Sequence, residues 1–227
     1  LIDGGPDASV LRTLGRGRSF FDRELDLLIA THPDTDHVGG LVDVLARYRV
    51  THLLETAAPH DAPAAVRYAT AATAEGAERI IVDGPMTLQL GASTTLRVFA
   101  PIGDTSQWRS NAASIVAQLQ YGETEFLFTG DAPKSIEEYL VAQYGTLLES
   151  EVMKLGHHGS DTSTSERLLD ATTPQFAVVS AGAGNRYGHP HAEVVARVRE
   201  RDIPLVSTAE LGTIEFRSDG SEVWRVR

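Results

Sequence analysis

The residues best suited to chemistry form one short segment, residues 31–37 (Thr-His-Pro-Asp-Thr-Asp-His), which is followed by Val-Gly-Gly. Two histidines and two aspartates lie within six residues here, namely His32, Asp34, Asp36 and His37. In a tight loop between a strand and a helix, this spacing lets one His–Asp pair face one metal ion while the other pair faces its neighbour. Imidazole and carboxylate groups together suit Zn²⁺, Mn²⁺ or Fe²⁺. The alternative is a solvated loop in which Asp36 caps the following helix.

Two further segments place polar residues directly after an apolar strand. Residues 126–131 (Phe-Leu-Phe-Thr-Gly-Asp) end in Asp131, whose carboxylate can reach into a site at the sheet edge. The alternative for Asp131 is an ordinary turn. Residues 152–160 (Val-Met-Lys-Leu-Gly-His-His-Gly-Ser) place His157 and His158 between glycines, which suggests metal binding or acid catalysis. We expect one of these two histidines to be structural or to support a ligand from beside it.

Residues 185–191 (Asn-Arg-Tyr-Gly-His-Pro-His) form the fourth segment, just before a predicted helix. His189 or His191 is a candidate ligand, and the alternative is that His191 caps the helix or is solvated. Six of the eight histidines fall in these segments, which leaves only His52 and His60 elsewhere. Because loops at strand ends hold functional residues on a rigid frame, the coincidence of four such segments favours a functional site.

The hydrophobic pattern predicts the strands and helices that would hold these loops. Helices are predicted at residues 38–48, 62–77, 134–144, 163–171 and 191–201, with a Ser-x-x-Glu cap that begins at Ser163. Strands are predicted at residues 1–3, 25–31, 50–54, 79–82, 87–90, 95–99, 115–121, 125–129, 151–155, 176–181, 205–207, 212–216 and 222–226. Hairpins mixed with strand–helix alternation indicate an α/β (α+β) class, in which a sandwich of sheets carries outer helices.

Composition narrows the class of protein. The chain has 227 residues, of which 42% are hydrophobic and 22% charged, values that exclude disordered, collagen-like and coiled-coil proteins. The absence of cysteine excludes disulfides, a thiol nucleophile and Cys-ligated zinc. A net charge of −11 argues against attraction of the whole surface to nucleic acid. No apolar stretch approaches the ~20 residues of a membrane helix. The start at Leu1 suggests a fragment or a processed form.

Taken together, these motifs resemble the metallo-β-lactamase fold superfamily, and more closely the hydrolase domain of ComEC-type competence proteins, the DNA-uptake channels of transformable bacteria. The resemblance is carried by residues 1–5 (Leu-Ile-Asp-Gly-Gly), 31–40, 110–111 (Ser-Asn), 127–131, 154–160 with 162–163, 185–190 and 208–214. It implies a four-layer αββα sandwich of two mixed sheets with outer helices, in a single hydrolase domain over residues 1–227. It also implies that the family's first strand is missing here, or that the domain was cut from a longer membrane protein.

The resemblance implies two divalent metal ions, Mn or Zn, at this site. Residue by residue, it gives one ion to His32 and Asp34, the other to Asp36, His37 and His189, with Asp131 bridging both. The superfamily's general motif is His-x-His-x-Asp-His, and this chain departs from it at Asp34. Asn111 stands near a position where many relatives carry a further histidine, and is a possible partner beside the ligands. Exchange of imidazole for carboxylate shifts the preference from zinc toward Mn²⁺.

Catalytic roles then fall to Asp36, His157 and Lys154. His157 or His158 would protonate the leaving oxygen or hold a phosphate oxygen. Lys154 would contact phosphate, and its alternative is a strand residue at the surface. Asp3 would orient a ligand histidine, or would simply fix the turn that follows it.

The resemblance implies a metal-dependent phosphodiesterase that hydrolyses DNA, expected to be single-stranded, during uptake. Two metal ions would lower the pKa of a shared water, and the resulting hydroxide would attack phosphorus. The resemblance further implies a place on the extracytoplasmic face of a bacterial membrane, fused to or associated with a membrane channel. A free-standing relative would be soluble.

Two other functions remain open. One is hydrolysis of small phosphodiesters, as by a phosphorylcholine esterase, because the acidic balance of the chain counts against tight binding of DNA. The other is a non-catalytic metal-binding domain, which would keep the metal but show no activity.

Overall fold

A computed structural model describes residues 1–16, 19 and 21–227. The chain divides into two compact units. Leu1–Asp83 with Pro101–Ile115 form the first unit, and Gly84–Ala100 with Val116–Arg227 form the second. Each unit has its own hydrophobic core. Among the described residues, no helix is both long enough and apolar enough to cross a membrane.

The first unit is built on a parallel sheet, which has three strands in the part of the chain that the structure describes. In spatial order these are β1 (Glu24–Ile29), β2 (Arg49–Glu55) and β3 (Glu78–Ile81), and the helices are α1 (Ser9–Arg16), α2 (Thr35–Leu45) and α3 (Pro63–Glu75). Ile2 pairs in parallel with Ile29, so residues 1–3 extend along β1. Helices α2 and α3 supply the crossovers that parallel strands need.

The helices of the first unit form where apolar residues recur three and four positions apart. In α2 the buried apolar side chains are those of Val38, Leu41, Val44 and Leu45, which share one face. They pack in the core with Leu25, Leu28, Ala30, Val50, Leu53, Tyr68 and Ala72. This core holds the start of α2, and therefore residues 31–37, against the ends of β1 and β2.

Residues 4–7 cross directly over α2 because the glycines there have no side chains. A Cβ atom on Gly40 would overlap the carbonyl oxygens of Gly4 and Asp7. The backbone N–H of Gly40 instead donates to the carbonyl of Gly5 at 2.8 Å. This contact between two stretches of main chain fixes Asp3 beside the first turns of α2.

The second unit is built on a mixed sheet in the order β10-β9-β8-β7-β6-β5-β4, as far as the described residues show. Its strands are β4 (Met86–Gly91), β5 (Thr94–Ala100), β6 (Val116–Tyr121), β7 (Thr124–Phe128), β8 (Val152–Lys154), β9 (Phe176–Val179) and β10 (Leu205–Ser207). Neighbours from β4 to β7 run antiparallel, and those from β7 to β10 run parallel. The carboxyl ends of β7, β8 and β9 therefore meet at one edge of this sheet.

The remaining elements of the second unit are helices and a small hairpin. They are α4 (Lys134–Tyr144), α5 (Glu166–Thr172), α6 (Ala192–Arg199) and α7 (Thr208–Leu211), with β11 (Phe216–Ser218) paired antiparallel to β12 (Val223–Arg225). The core contains apolar residues from the sheet and from α4, α5 and α6, among them Leu127, Met153, Leu168 and Val194. The predicted α/β class is confirmed, and most predicted elements occur within a few residues of their expected bounds.

The predicted cap at Ser163 is wrong. Helix α5 is capped by Ser165, whose Oγ accepts from the backbone N–H of Leu168 at 3.2 Å. Thr164 has a φ of 56°, in the left-handed region, so the helix cannot begin before it. The hydroxyl of Ser163 instead donates to the carbonyl of Ala132 at 2.8 Å.

Among the described residues, two short α-helices were not predicted, and one predicted strand is misplaced. Helix α1 and the four-residue α7 have no counterpart in the sequence prediction. The strand expected at residues 212–216 begins instead at Phe216. Gly212 has a φ of 72° and ends α7 in a conformation that a strand does not adopt.

Candidate functional site

Asp3 organises the histidines of the first unit. Its Oδ2 accepts hydrogen bonds from His37 Nδ1 at 2.7 Å and from Thr31 Oγ1 at 2.8 Å. Since the Thr31 hydroxyl gives its one proton to Asp3, its oxygen accepts from His32 Nδ1, which lies 3.1 Å away. Asp3 therefore fixes the ring proton of both histidines on Nδ1 and leaves each lone pair on Nε2. A carboxylate that holds the far nitrogen is the usual support of a metal-binding histidine.

The same contacts keep Asp3 ionised. Burial raises the pKa of the Asp3 carboxyl. The hydrogen bond from His37, the positive charge that His37 and His32 carry when protonated, and the backbone N–H of Thr31 together outweigh this effect. The pKa of Asp3 therefore lies below its ordinary value. A charged carboxylate makes the Nε2 atom of its histidine partner more basic, and hence a better ligand.

Asp34 lies between His32 and a histidine outside the predicted motifs. Its Oδ2 is 3.9 Å from His32 Nε2, and its Oδ1 is 3.2 Å from His60 Nε2. His60 was missed because it lies in the loop after β2, with no distinctive spacing. The parallel pairing of β1 with β2 was the available signal, since it brings the loops after both strands to one edge.

The structure shows where Asp36 and Asn111 lie but does not test their expected roles. Asp36 is exposed in the first turn of α2, whose N-cap residue is Asp34, so the alternative in which Asp36 caps this helix is wrong. Asn111 begins the short 3₁₀ turn Asn111–Ala113, and the hydroxyl of Ser110 lies 3.4 Å from its Oδ1. The expected roles of both residues stay predictions.

In the second unit, Asp131 lies against a pair of histidines with unusual backbone conformations. It follows β7 through Gly130, whose φ of 52° suits glycine. His157 and His158 have φ values of 48° and 57°, a costly conformation that is typical of functional loops. Asp131 Oδ2 lies 3.7 Å from His157 Nε2 and 3.5 Å from His158 Nε2. Both rings therefore turn their Nε2 atoms toward this carboxylate.

The His158 ring is fixed by the loop after β9. Its Nδ1 lies 2.7 Å from the carbonyl oxygen of Ser180, and because a carbonyl only accepts, Nδ1 carries the proton. The lone pair on Nε2 then faces the Asp131 carboxylate, an arrangement that suits a cation held between nitrogen and oxygen. The donors in both units therefore fit a divalent metal ion such as Zn²⁺ or Mn²⁺.

Lys154 lies beside Asp131 and the loop that contains it. Its Nζ donates to the carbonyls of Gly130 and Leu155, at 3.2 and 3.4 Å, and lies 4.0 Å from Asp131 Oδ1. These contacts direct the ammonium toward the Asp131 loop.

His189 and His191 have different surroundings, although only Pro190 separates them in the sequence. The His189 ring stacks on Tyr187 with centroids 5.7 Å apart and meets the His157 ring edge-on at 5.6 Å. Burial, followed by the charge of neighbouring histidines, lowers the pKa of His189, and the charge of Asp131 opposes this only in part.

His191 instead serves the backbone. Its Nδ1 accepts from the backbone N–H of Asp161 at 3.1 Å, and its Nε2 lies 3.2 Å from the carbonyl oxygen of Tyr187. It stands at the N-cap of α6 without a capping bond from its side chain. Of the two candidates in this segment, His189 is therefore the one that faces the histidine cluster.

Comparison with known families identifies the fold. The family model of the metallo-β-lactamase superfamily matches residues 1–183, which include the loops of His32, His37, Asp131 and His158. The chain belongs to the metallo-β-lactamase superfamily. It thus has the fold of a superfamily of metal-dependent hydrolases, as the motifs predicted.

Three relatives of this superfamily member have names that refer to competence or recombination. The chain is similar to ComE operon protein 3 of Bacillus subtilis, with 31% identity over 195 residues, and to competence protein ComA of Neisseria gonorrhoeae, with 43% identity over 106 residues. These alignments cover 86% and 47% of this chain, but 25% and 15% of the respective relatives. Recombination protein 2 of Haemophilus influenzae is 29% identical over 89% of this chain and 24% of its own length. The chain thus spans about a quarter or less of these relatives. The predicted resemblance to ComEC-type domains is confirmed.

Solved structures show the same fold at low sequence identity. Zn²⁺-bound PqqB from Methylobacterium extorquens has a TM-score of 0.55 and 12% identity, over 90% of this chain and 79% of its own. CmlA, a diiron β-hydroxylase from Streptomyces venezuelae, has a TM-score of 0.53 and 16% identity, over 82% of this chain and 43% of its own.

Proposed function

We propose that this chain is a metal-dependent phosphodiesterase that hydrolyses single-stranded DNA during DNA uptake. The observation that carries the proposal is the pair of ligand clusters, in which nitrogen atoms of buried or half-buried histidine rings lie close to carboxylates. The names of the curated relatives support the setting in competence. By the same reasoning we place the domain outside the cytoplasmic membrane, fused to or associated with a channel.

The ligands come from both clusters. His32 and Asp34 would hold one divalent ion, Mn²⁺ or Zn²⁺. Asp36 and His37 would hold the other ion, as the superfamily motif suggests. By the resemblance of its motifs to the superfamily, Asp131 is assigned to both ions. Two such ions, when bound, polarise a phosphoryl group and lower the pKa of water.

In the second unit we propose His158, rather than His189, as the metal ligand. His158 Nε2 lies 3.5 Å from Asp131 Oδ2, and its proton is fixed on the opposite nitrogen by Ser180. His189 instead lies against the His157 ring, where its side chain can hold a phosphate oxygen. His157, whose Nδ1 lies 3.0 Å from Thr162 Oγ1, would give a proton to the leaving oxygen.

Lys154 takes a positioning role in this proposal. Two backbone carbonyls and Asp131 surround its ammonium, so it balances the charge of Asp131 and holds the loop in place. The expected contact of Lys154 with phosphate stays a prediction.

An exposed aromatic and cationic pair beside His189 supports DNA as the substrate. Tyr187 is 59% exposed, and the guanidinium of Arg186 lies 4.9 Å from the centre of its ring. An exposed ring beside an arginine is typical of surfaces that stack single-stranded bases. This pair offers local attraction in a chain whose net charge is −11.

Cleavage of a linear, fluorescently labelled single-stranded oligonucleotide tests the proposal. We expect Mn²⁺ to stimulate cleavage and chelation to abolish it, and we expect Asp36→Ala and Asp131→Ala to lose it. His52→Ala is the matched control, because His52 lies on β2 with its Nδ1 3.0 Å from the carbonyl oxygen of Asp26. Activity that survives in Asp131→Ala, or that needs no metal, would contradict the proposal.

The second candidate is hydrolysis of small phosphodiesters, which the net charge of −11 favours because it repels a polyanion. Parallel assays with bis-p-nitrophenyl phosphate separate the two candidates. If that ester is cleaved and DNA is not, the second candidate is correct. Metal binding without cleavage of either substrate would leave the non-catalytic domain.

A further inference from the structure

Within the proposed metal centre, on which this inference rests, we propose that Ser163 and Thr164 are positioning residues for the ligands Asp131 and His158. Each of the two hydroxyls holds the main chain beside one ligand, and neither is itself a ligand. Ser163 belongs to one of the sequence motifs described above, where it was predicted to cap a helix. Its contacts in the structure support a different role.

The Ser163 hydroxyl holds the loop that contains Asp131. It donates to the carbonyl of Ala132, the residue directly after Asp131, at 2.8 Å. The side chain of Ser163 is fully buried, so this hydrogen bond lies away from solvent. The main chain that follows Asp131 is therefore fixed to the loop before α5.

The Thr164 hydroxyl holds the turn that contains His157 and His158. Its Oγ1 accepts from the backbone N–H of Gly156 at 3.2 Å, and Gly156 directly precedes His157. A Cβ atom on Gly156 would lie 2.9 Å from Ser163 Cβ, so the turn packs directly on these two residues. Both histidines have left-handed backbone conformations, which persist only where the surrounding structure holds them.

Thr164 is itself held in a conformation that a β-branched residue rarely adopts, with a φ of 56°. Its backbone N–H donates to the buried carboxylate of Glu137 on α4. Its carbonyl accepts from Arg197 Nη1 on α6 at 2.6 Å. Two helices therefore hold the main chain of Thr164 on both sides, and this support keeps its hydroxyl against Gly156.

These hydrogen bonds set the spacing between the two ligands. The hydroxyls belong to adjacent residues, so the two stretches of main chain that they hold stay in a fixed relation. The backbone N–H of His157 adds a third link, because it donates to the carbonyl of Gly130 at 3.2 Å. Within this frame, Asp131 Oδ2 lies 3.5 Å from His158 Nε2. Movement of either stretch would change this distance, and metal ligands tolerate little displacement.

Four substitutions separate positioning of the ligands from general stability. Thr164→Val keeps the shape of the side chain but removes its acceptor oxygen, whereas Thr164→Ser keeps the hydroxyl. Ser163→Ala removes the donor of the other hydrogen bond. Thr172→Val is the matched control, since Thr172 is also fully buried in this unit and its hydroxyl donates to the carbonyl of Leu168 within α5, at 2.8 Å.

Metal affinity is measured by isothermal titration calorimetry of the metal-free proteins with Mn²⁺ and with Zn²⁺, and stability by urea unfolding of the same samples. We expect Thr164→Val and Ser163→Ala to bind metal about 10- to 100-fold more weakly, the usual effect of removing a group that supports a ligand. Thr164→Ser should bind nearly as the wild type does, because it keeps the hydroxyl. Thr172→Val should bind as the wild type does even if it is less stable.

Nuclear magnetic resonance of the metal-free proteins tests the geometry without metal. Thr164→Val should shift the backbone amide signals of Gly156, His157 and His158 more than Thr164→Ser or Thr172→Val does. The reason is that only Thr164→Val removes the acceptor of the Gly156 N–H.

The results distinguish this inference from the metal centre on which it rests. If Thr164→Val and Ser163→Ala both bind metal as the wild type does, or if Thr172→Val loses as much affinity as they do, the inference is overturned. If Thr164→Val does not fold, Ser163→Ala and the control decide in the same way.

A wild type that binds neither Mn²⁺ nor Zn²⁺ would refute the proposed metal centre. In that case, shifted signals of His157 and His158 in Thr164→Val would still support a role of Thr164 in positioning the turn. Unshifted signals would overturn that role as well.

Discussion

Gly40→Ala should destabilise the protein although it places a better helix former in α2. Gly40 has helical neighbours on both sides, and elsewhere such a change would stabilise the helix by up to about 1 kcal/mol. Here the new Cβ would overlap the carbonyl oxygens of Gly4 and Asp7, which belong to main chain and cannot rotate away. The backbone of residues 4–7 must therefore move off the helix.

The magnitude follows from three terms. Insertion of a methyl group into a packed contact costs about 1–3 kcal/mol. The movement also breaks the hydrogen bond from Gly40 N to Gly5 O, 2.8 Å long, which adds about 1 kcal/mol. After subtraction of the gain in helix propensity, about 1 kcal/mol, the free energy of unfolding should fall by about 2 kcal/mol. Because Asp3 adjoins this contact, its hydrogen bond to His37 should be disturbed as well.

Urea unfolding of the chelated protein, followed by circular dichroism, measures this difference. Gly15→Ala is the matched control, since Gly15 lies in α1 and a Cβ there meets no atom within 4 Å. The control should be neutral or stabilising by up to about 1 kcal/mol. A Gly40→Ala protein as stable as Gly15→Ala would refute the close packing of residues 4–7 on α2.

Further predictions concern buried polar groups. Burial raises the pKa of Glu137 despite hydrogen bonds to it from the backbone of Ser165 and Thr164. The contribution of Glu137 to stability is thus greatest below pH 4.5 and is lost as the pH rises through its raised value. Chemical unfolding of metal-free protein at several pH values should show the stability of the wild type relative to Glu137→Gln falling as the pH rises, and a constant difference would contradict the shift. Tyr68→Phe removes a donor, 3.1 Å away, from the buried Glu55 carboxylate and should cost about 2 kcal/mol in thermal or urea unfolding. Ser165→Ala removes the cap of α5 and should cost about 1 kcal/mol in the same assay, and no loss would show that the cap is unimportant.

Much of the frame that holds the candidate site was predictable because its signals are local. The apolar run of β1, the apolar spacing of α2 and the residue types of the loop between them are all contiguous in sequence. The loop containing Asp131 likewise follows an apolar strand and a glycine. Such signals give the order of strands, helices and polar loops, and the superfamily match agrees with that order.

The features that sequence reasoning missed depend on contacts between distant residues. His60 reaches Asp34 only because β1 and β2 pair in parallel, a pairing that no spacing near His60 reveals. The proposal of His158 as a ligand likewise depends on its hydrogen bond to Ser180, a residue in the loop after β9. Ser163 has the sequence of a helix cap, but the left-handed backbone of Thr164 moves the cap to the next serine.

Counting bound metal tests the central claim most directly. We titrate the metal-free wild type and Asp131→Ala with Mn²⁺ and monitor each titration by electron paramagnetic resonance. The titrations give the number of sites and their affinities. We predict two ions per wild-type chain and, because Asp131 is assigned to both ions, weaker binding of each in Asp131→Ala. A wild type that binds no divalent ion, or an Asp131→Ala protein that binds two ions as tightly as the wild type, would contradict it.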